Sequence, residues 1–237
     1  MAQIEKRSQD HKKRILFLGN SYIYYNSLDV MFNNMVGGEC DIETHTVGGE
    51  SLCGHSSNEK VKDLLSQKWD FVILQDLSTG PLPEKRKDTI HSLSTFYRPL
   101  LIESGTKNVI LYQTWGRRRG IESYTYTEMQ DELINGYEQF KDCLSLDGNL
   151  IVKIAPAGQI RLEIYKQDND PLDERSTFYQ MYTKDDSHPT PLGTYASACA
   201  IYSTIYNKSP TSLTFHPQEI SQQQANHIQT IAHKVMS

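Results

Sequence analysis

The chain is poor in cysteine and arranges none of it as a metal site or a redox pair. Cys40, Cys53, Cys143 and Cys199 stand far apart with no C-x-x-C among them, the pattern of isolated thiols in a reducing compartment. It also lacks a basic excess: 24 Lys and Arg against 29 Asp and Glu give a formal charge of -5. That balance excludes the cationic footprint of a nucleic-acid-binding domain and favours a small neutral or apolar partner. No run approaches the roughly 18 apolar residues of a spanning helix, and residues 1–14 are charged without the apolar core of a signal peptide. A cytoplasmic location with no membrane partner is expected. Also missing are a G-x-S-x-G elbow, a P-loop and a G-x-G-x-x-G turn, which argues against an α/β-hydrolase elbow and against a nucleotide site. The histidines, including His45 and His55, show no ligand spacing, so neither metal nor cofactor is expected.

What is present suits one folded unit. The 237 residues are 38% hydrophobic and 22% charged, with no internal repeat and no Pro-rich or Gly/Ser-rich linker. This is enough apolar material for a single core. Residues 1–12 read as a mobile tail and 13–237 as one domain. Strand-length apolar runs recur at residues 14–18, 41–47, 71–75, 108–113 and 150–154. Helical patterns fill 27–35, 59–67, 85–103, 127–146, 157–165, 191–207 and 217–234, and Pro99 should kink or divide the third. Continuous runs such as Ile15-Leu16-Phe17-Leu18 and Phe71-Val72-Ile73-Leu74 suit strands covered on both faces. The expected fold class is therefore α/β, with a five-stranded parallel sheet between helical layers. Residues 166–187, rich in Asp and weakly periodic, read as a long loop.

In such a sheet ligands bind beyond the carboxyl ends of the strands. The residues there are Gly19-Asn20-Ser21, Gly48-Gly49-Glu50-Ser51, Gln75-Asp76 and Thr114-Trp115-Gly116. Ser21, between a strand and a helical stretch, is placed to be a nucleophile, although a serine there is more often a turn residue or a helix cap. Further on, Asp185-Asp186-Ser187-His188-Pro189 puts an Asp three residues before a His. That spacing lets the carboxylate accept the Nδ1 proton and leaves Nε2 free to take a proton from a serine.

Taken together, Ile15-Leu16-Phe17-Leu18-Gly19-Asn20-Ser21 resembles the first sequence block of the SGNH (GDSL-like) hydrolases, and Asp185-x-x-His188-Pro189 resembles their last. The resemblance spans roughly residues 14 to 207, with the blocks in the family's order. It implies a three-layer α/β/α, flavodoxin-like fold and cleavage of short acyl esters by a Ser21, His188, Asp185 triad through an acyl-enzyme, without metal or cofactor. In the family's pattern the oxyanion is held by the Ser21 N–H, by a glycine N–H matched here by Gly49, and by a side-chain amide. The chain departs from that pattern twice. Asn20 stands where the first block usually has Asp, as in a GNS-bearing branch of mostly undefined substrate. The third block's Gly-x-Asn-Asp is replaced by Leu74-Gln75-Asp76, so Gln75 is the expected amide donor.

Trp115 and Asn20 are expected to border the substrate, Trp115 by offering a ring face to a sugar or an acyl chain. Arg117-Arg118-Arg119 reads either as a solvated loop or as a contact to an anionic substrate group. The expected ligand is a small ester or an acylated carbohydrate. An O-acyltransferase with the same triad and a catalytically silent carbohydrate-binding protein on the same fold are the alternatives.

Overall fold

All four side chains of Ile15-Leu16-Phe17-Leu18 are fully buried. Successive residues of a strand point to opposite faces, so this run requires cover on both sides. The computed structural model, which describes residues 12–237, supplies it. All but the last residue of the expected tail lies outside the described residues.

In chain order the elements are β1 (Lys13–Gly19), α1 (Ser21–Tyr24), α2 (Leu28–Met35), β2 (Cys40–Thr46), α3 (Leu52–His55), α4 (Glu59–Leu65), β3 (Phe71–Leu74) and α5 (Pro83–Ser92). There follow α6 (Arg98–Glu103), β4 (Asn108–Tyr112), α7 (Tyr126–Ser145), β5 (Ile151–Ala155), α8 (Ala157–Gln167), α9 (Thr177–Gln180), α10 (Pro191–Tyr206) and α11 (Gln222–Met236). The five strands pair in parallel in the order β2-β1-β3-β4-β5. This is the flavodoxin-like order, in which the chain winds outward from β1 to β2 and then crosses back to β3. The carboxyl ends of β1 and β3 therefore flank the switch point where a ligand crevice forms.

One face of the sheet, with Phe17, Ile73, Ile110 and Tyr112, packs against Phe32 of α2, Ile160 of α8, Ala198 of α10 and Ile228 of α11. The other, with Leu16, Leu18, Val72 and Leu111, packs against Val61 of α4 and Tyr137, Phe140 and Leu144 of α7. These are the three expected layers. α10 is buried nearly all round, which its small residues Ala196, Ala198 and Ala200 permit by letting neighbouring elements approach closely. Thr125 with Glu128 opens α7 and Ser221 with Gln224 opens α11, each as a reciprocal capping box.

The departures from expectation have local causes. α5 and α6 are joined by a wide turn over Leu93–Tyr97 in which hydrogen bonds span five residues. That segment divides the expected helix, and Pro99 follows it in the first turn of α6, where a missing N–H is tolerated. The last helix begins at Gln222, not at residue 217, because Ser221 caps it. Three four-residue helices, α1, α3 and α9, were too short to show a period. The loop expected from residue 166 begins at 168, because α8 runs on to Gln167, and it is interrupted by α9.

Because the two faces bury aromatic side chains independently, Phe17→Ala and Phe140→Ala should each lower the unfolding free energy by about 3–5 kcal/mol, the usual cost of emptying a Phe site. Urea unfolding of the single variants and of the double variant checks this. Near-additive losses are expected, since the sheet separates the two sites.

Candidate active site

The end of β1 is shaped by a pair of buried amides. Asn20 caps α1, its Oδ1 accepting the Tyr22 N–H at 3.1 Å, while its Nδ2 donates to the Glu50 carbonyl at 2.9 Å. Gln75 faces it from the end of β3. The Gln75 Oε1 accepts the Asn20 backbone N–H at 2.9 Å, and its Nε2 donates to Asn20 Oδ1 at 3.0 Å and also to the Asp76 carbonyl. A Cβ on Gly19 would stand 2.4 Å from Gln75 Oε1, so only glycine admits this approach. On the outer side, His55 Nε2 donates to the Gly19 carbonyl at 2.8 Å. The following residue, Ser21, is thereby held at the first position of α1. There its N–H, one of the orphan donors of a helix start, has no acceptor among the described residues.

The second half arrives from residues 183–189. Asp185 Oδ1 accepts the Thr183 hydroxyl at 2.8 Å and the N–H groups of Ser187 and His188, each at 2.9 Å. Its other oxygen, Oδ2, accepts His188 Nδ1–H at 2.5 Å. With Nδ1 protonated, Nε2 carries the lone pair and accepts the Ser21 hydroxyl proton at 2.8 Å. Ser21, His188 and Asp185 thus form an unbroken hydrogen-bonded line across 167 residues of chain. Desolvation is the largest single influence on the Asp185 carboxyl and pushes its pKa up. The hydrogen bonds from the His188 ring, the two backbone N–H groups and Thr183 together outweigh it and hold the group well below the usual carboxylate range.

Residues with no sequence signal complete the setting. Tyr25 stacks on the His188 ring with centroids 4.2 Å apart, and Tyr22 meets the ring edge-on at 5.6 Å. The Tyr22 hydroxyl lies 2.7 Å from Ser187 Oγ. Asn26, whose backbone is left-handed with φ of 54°, donates from Nδ2 to the Pro189 carbonyl and to Thr194 Oγ1, both at 2.9 Å. It so ties the segment after Ser21 to the segment after His188. The run Tyr22-Ile23-Tyr24-Tyr25 directly after Ser21 was the one available hint.

Gly49 lies in the exposed turn after β2 with φ of +72°, a conformation suited to glycine. Its N–H has no acceptor among the described residues. Three expectations are corrected. Gln75 is fully buried and both its amide hydrogens are taken by Asn20 and Asp76, leaving none for an oxyanion. Asn20 is 2% exposed and serves as cap and anchor, not as a substrate contact. Trp115 is also fully buried: its Nε1 donates to the Ser187 carbonyl at 3.0 Å, one face stacks on Tyr22 at 4.3 Å, and the Arg161 guanidinium lies 3.4 Å from the ring centroid. It supports the histidine segment from beneath and offers no face to a ligand. The arginine run is divided. Arg118 is buried, ion-paired to Asp186 and set over the Tyr179 ring at 3.7 Å, Arg119 reaches Asp186 at 3.3 Å, and Arg117 is half-buried beside Ser78.

Among the described residues no group of three or more His, Cys, Asp or Glu is placed to hold a metal ion, the four cysteines are free, and no helix is long and apolar enough to cross a membrane.

Neither a family model nor a curated protein sequence matches the chain. Solved structures do. A DUF4886 family protein from Bacteroides uniformis is similar over 94% of both chains, with a TM-score of 0.70 and 16% identity. A carbohydrate esterase family 3 protein from Talaromyces cellulolyticus matches 83% of this chain and 100% of its own, with a TM-score of 0.59 and 12% identity. Axe2, an acetylxylan esterase from Geobacillus stearothermophilus, matches 81% of this chain and 94% of its own, with a TM-score of 0.56 and 15% identity. These likenesses establish a shared three-layer α/β fold.

The depressed Asp185 pKa has a consequence for stability. A carboxyl lowered by folding adds stability that is complete above its unfolded value, about 4, and is lost as pH falls through the folded value. The melting temperature of Asp185→Asn should therefore lie below that of the parent by a constant margin from pH 7 to about pH 5. Below about pH 4 the margin should shrink. Thermal unfolding across that range checks it, and a margin unchanged down to pH 3 would show that the ionised carboxylate is not the anchor.

Proposed function

We propose that the protein is a serine ester hydrolase of the SGNH kind that cleaves short acyl esters, acetyl groups on carbohydrates among them. The observation that carries this reading is the hydrogen-bonded line from Ser21 Oγ to His188 Nε2 and from His188 Nδ1 to Asp185 Oδ2. It joins a hydroxyl to a base and the base to an ionised orienter, at the carboxyl edge of the sheet.

Ser21 Oγ attacks the ester carbonyl as its proton passes to His188 Nε2, and the Asp185 carboxylate stabilises the imidazolium that results. The negative charge that develops on the carbonyl oxygen is met by two backbone donors without an acceptor among the described residues, the N–H groups of Ser21 and Gly49. Collapse of the tetrahedral intermediate breaks the bond to the alcohol oxygen, which takes the proton from His188 and departs. Water then adds to the acyl-serine with His188 again as base, releasing the acid and restoring the Ser21 hydroxyl. Tyr25 and Tyr22 confine the imidazole to the plane that serves both oxygens. Carbohydrate esters enter as substrate because two similar folds carry esterase names, acetylxylan esterase and carbohydrate esterase family 3.

Purified protein and Ser21→Ala are compared on 4-nitrophenyl acetate, butyrate and octanoate and then exposed to a fluorophosphonate probe. The variant should lose about a thousandfold or more of kcat/KM and all labelling, as loss of a triad nucleophile removes most of the rate. Acetate release from acetylated xylo-oligosaccharides tests the substrate class. Equal turnover by parent and variant, or no turnover with no labelling, would sink the reading.

A further inference from the structure

Arginine is always charged, and a guanidinium withdrawn from water without an acid or a full set of acceptors is costly. Every other arginine among the described residues has either a carboxylate partner or two acceptors with a ring beneath it. Arg86, Arg98, Arg118, Arg119 and Arg175 each pair with a carboxylate. Arg14 and Arg161 each donate to two uncharged acceptors, and each lies over a tryptophan ring. Arg117 is the exception. It is half-buried, its Nε, like those of Arg98 and Arg161, is sealed from solvent with no acceptor, and its guanidinium has neither a carboxylate nor a ring but a single long contact, 3.4 Å from Nη2 to Ser78 Oγ.

Its place in the fold is at the candidate site. Arg117 follows β4 and Ser78 follows β3, so both stand at the carboxyl edge beside the residues that follow β1. The segment is held there by both its neighbours: Trp115, two residues before Arg117, stacks on Tyr22, which is next in sequence to the nucleophile and touches Ser187 of the histidine segment, and the Arg118 N–H donates to the Asp186 carbonyl at 2.9 Å. The neighbouring arginines, by contrast, both pair with Asp186.

We infer that Arg117 is a specificity residue that receives a carboxylate carried by the substrate, so that the preferred ester is an anionic one. This rests on the ester-hydrolase reading and adds a substrate class to it. Among the described residues its Nη1 has no acceptor and its Nη2 only the long contact to Ser78, and the Nη1–Nη2 edge of a guanidinium can hold a carboxylate through two parallel hydrogen bonds.

The test uses two matched pairs of esters with the parent, Arg117→Met and Arg117→Lys. 4-Nitrophenyl hydrogen succinate against 4-nitrophenyl butyrate places the charge on the acyl side. 4-Acetoxybenzoate against its methyl ester places it on the alcohol side. In one pair the parent should favour the anion by roughly 10- to 150-fold in kcat/KM, the range for a hydrogen bond to a charged group. Arg117→Met should abolish that ratio and Arg117→Lys should keep part of it; the pair that responds identifies the side. Structural damage would lower both members of a pair and leave the ratio intact. No anionic preference in the parent, or a ratio unchanged in Arg117→Met, overturns the inference while ester hydrolysis itself stands. If the parent cleaves none of the four esters, the hydrolase reading fails and the anion site is read by calorimetric titration with succinate. Saturable binding lost in Arg117→Met would then support the site, and no binding, or equal binding by both, would overturn it.

Discussion

The amide of Gln75 locked onto Asn20 is the contact on which the rest of the site depends. The Asn20 backbone N–H and side chain, the Glu50 carbonyl and the end of β3 converge there, in a place shielded from water. Three strand ends are thereby held in one register. Buried amides left without partners cost about 1–3 kcal/mol each, so the arrangement resists partial opening. It also explains the glycine before Asn20, because any side chain at Gly19 would collide with the Gln75 oxygen. The result is a serine displayed at a helix start by a rigid scaffold and not by a mobile loop.

The second half of the site is held to the first by contacts of a different kind. An aromatic column runs from Arg161 through Trp115 to Tyr22, and its last ring meets His188 edge-on. The Trp115 indole also fixes the Ser187 carbonyl, while Arg161 binds the Gly193 carbonyl in the first turn of α10. From the other side Asn26 grips the Pro189 carbonyl. The histidine segment is therefore clamped above and below by residues from α1, the stretch after β4, and α8. None of them needs to touch a substrate in order to matter.

This division accounts for what was legible in the sequence. β1 was visible because four consecutive apolar residues suit a strand covered on both sides. Asp185 and His188 were visible because their pairing is local, three residues apart. The parallel sheet and its helical cover followed from the alternation of runs, and the flavodoxin-like arrangement from the family resemblance. What could not be read was the direction of side chains one to three residues past a strand end, where a single step reverses the face. Gln75 still belongs to the ladder, its N–H bonded to the Leu18 carbonyl, and so its side chain turns inward. Trp115 lies three residues beyond β4 and folds under the histidine segment. The charge run at residues 117–119 gave one signal for three fates, because the partner of two of its members, Asp186, is far away in sequence.

Asp186 also shows why the spacing of Asp and His works. Asp185 and Asp186 are adjacent and of one charge, yet they face different partners, the first the His188 ring and the second Arg118. The chain separates them by placing Asp186 in the left-handed region, with φ of 61°, a conformation that costs a non-glycine residue on the order of 1 kcal/mol. Its backbone carbonyl accepts the Arg118 N–H at 2.9 Å while its side chain pairs with the guanidinium, so one residue holds both the turn and its strain in place. That turn leaves Asp185 Oδ1 beneath two successive backbone N–H groups and aims Oδ2 at the imidazole. The carboxylate that orients the base is thus itself oriented by main chain, and Arg118, in a run that read as either a solvated loop or a substrate contact, serves to keep that main chain bent.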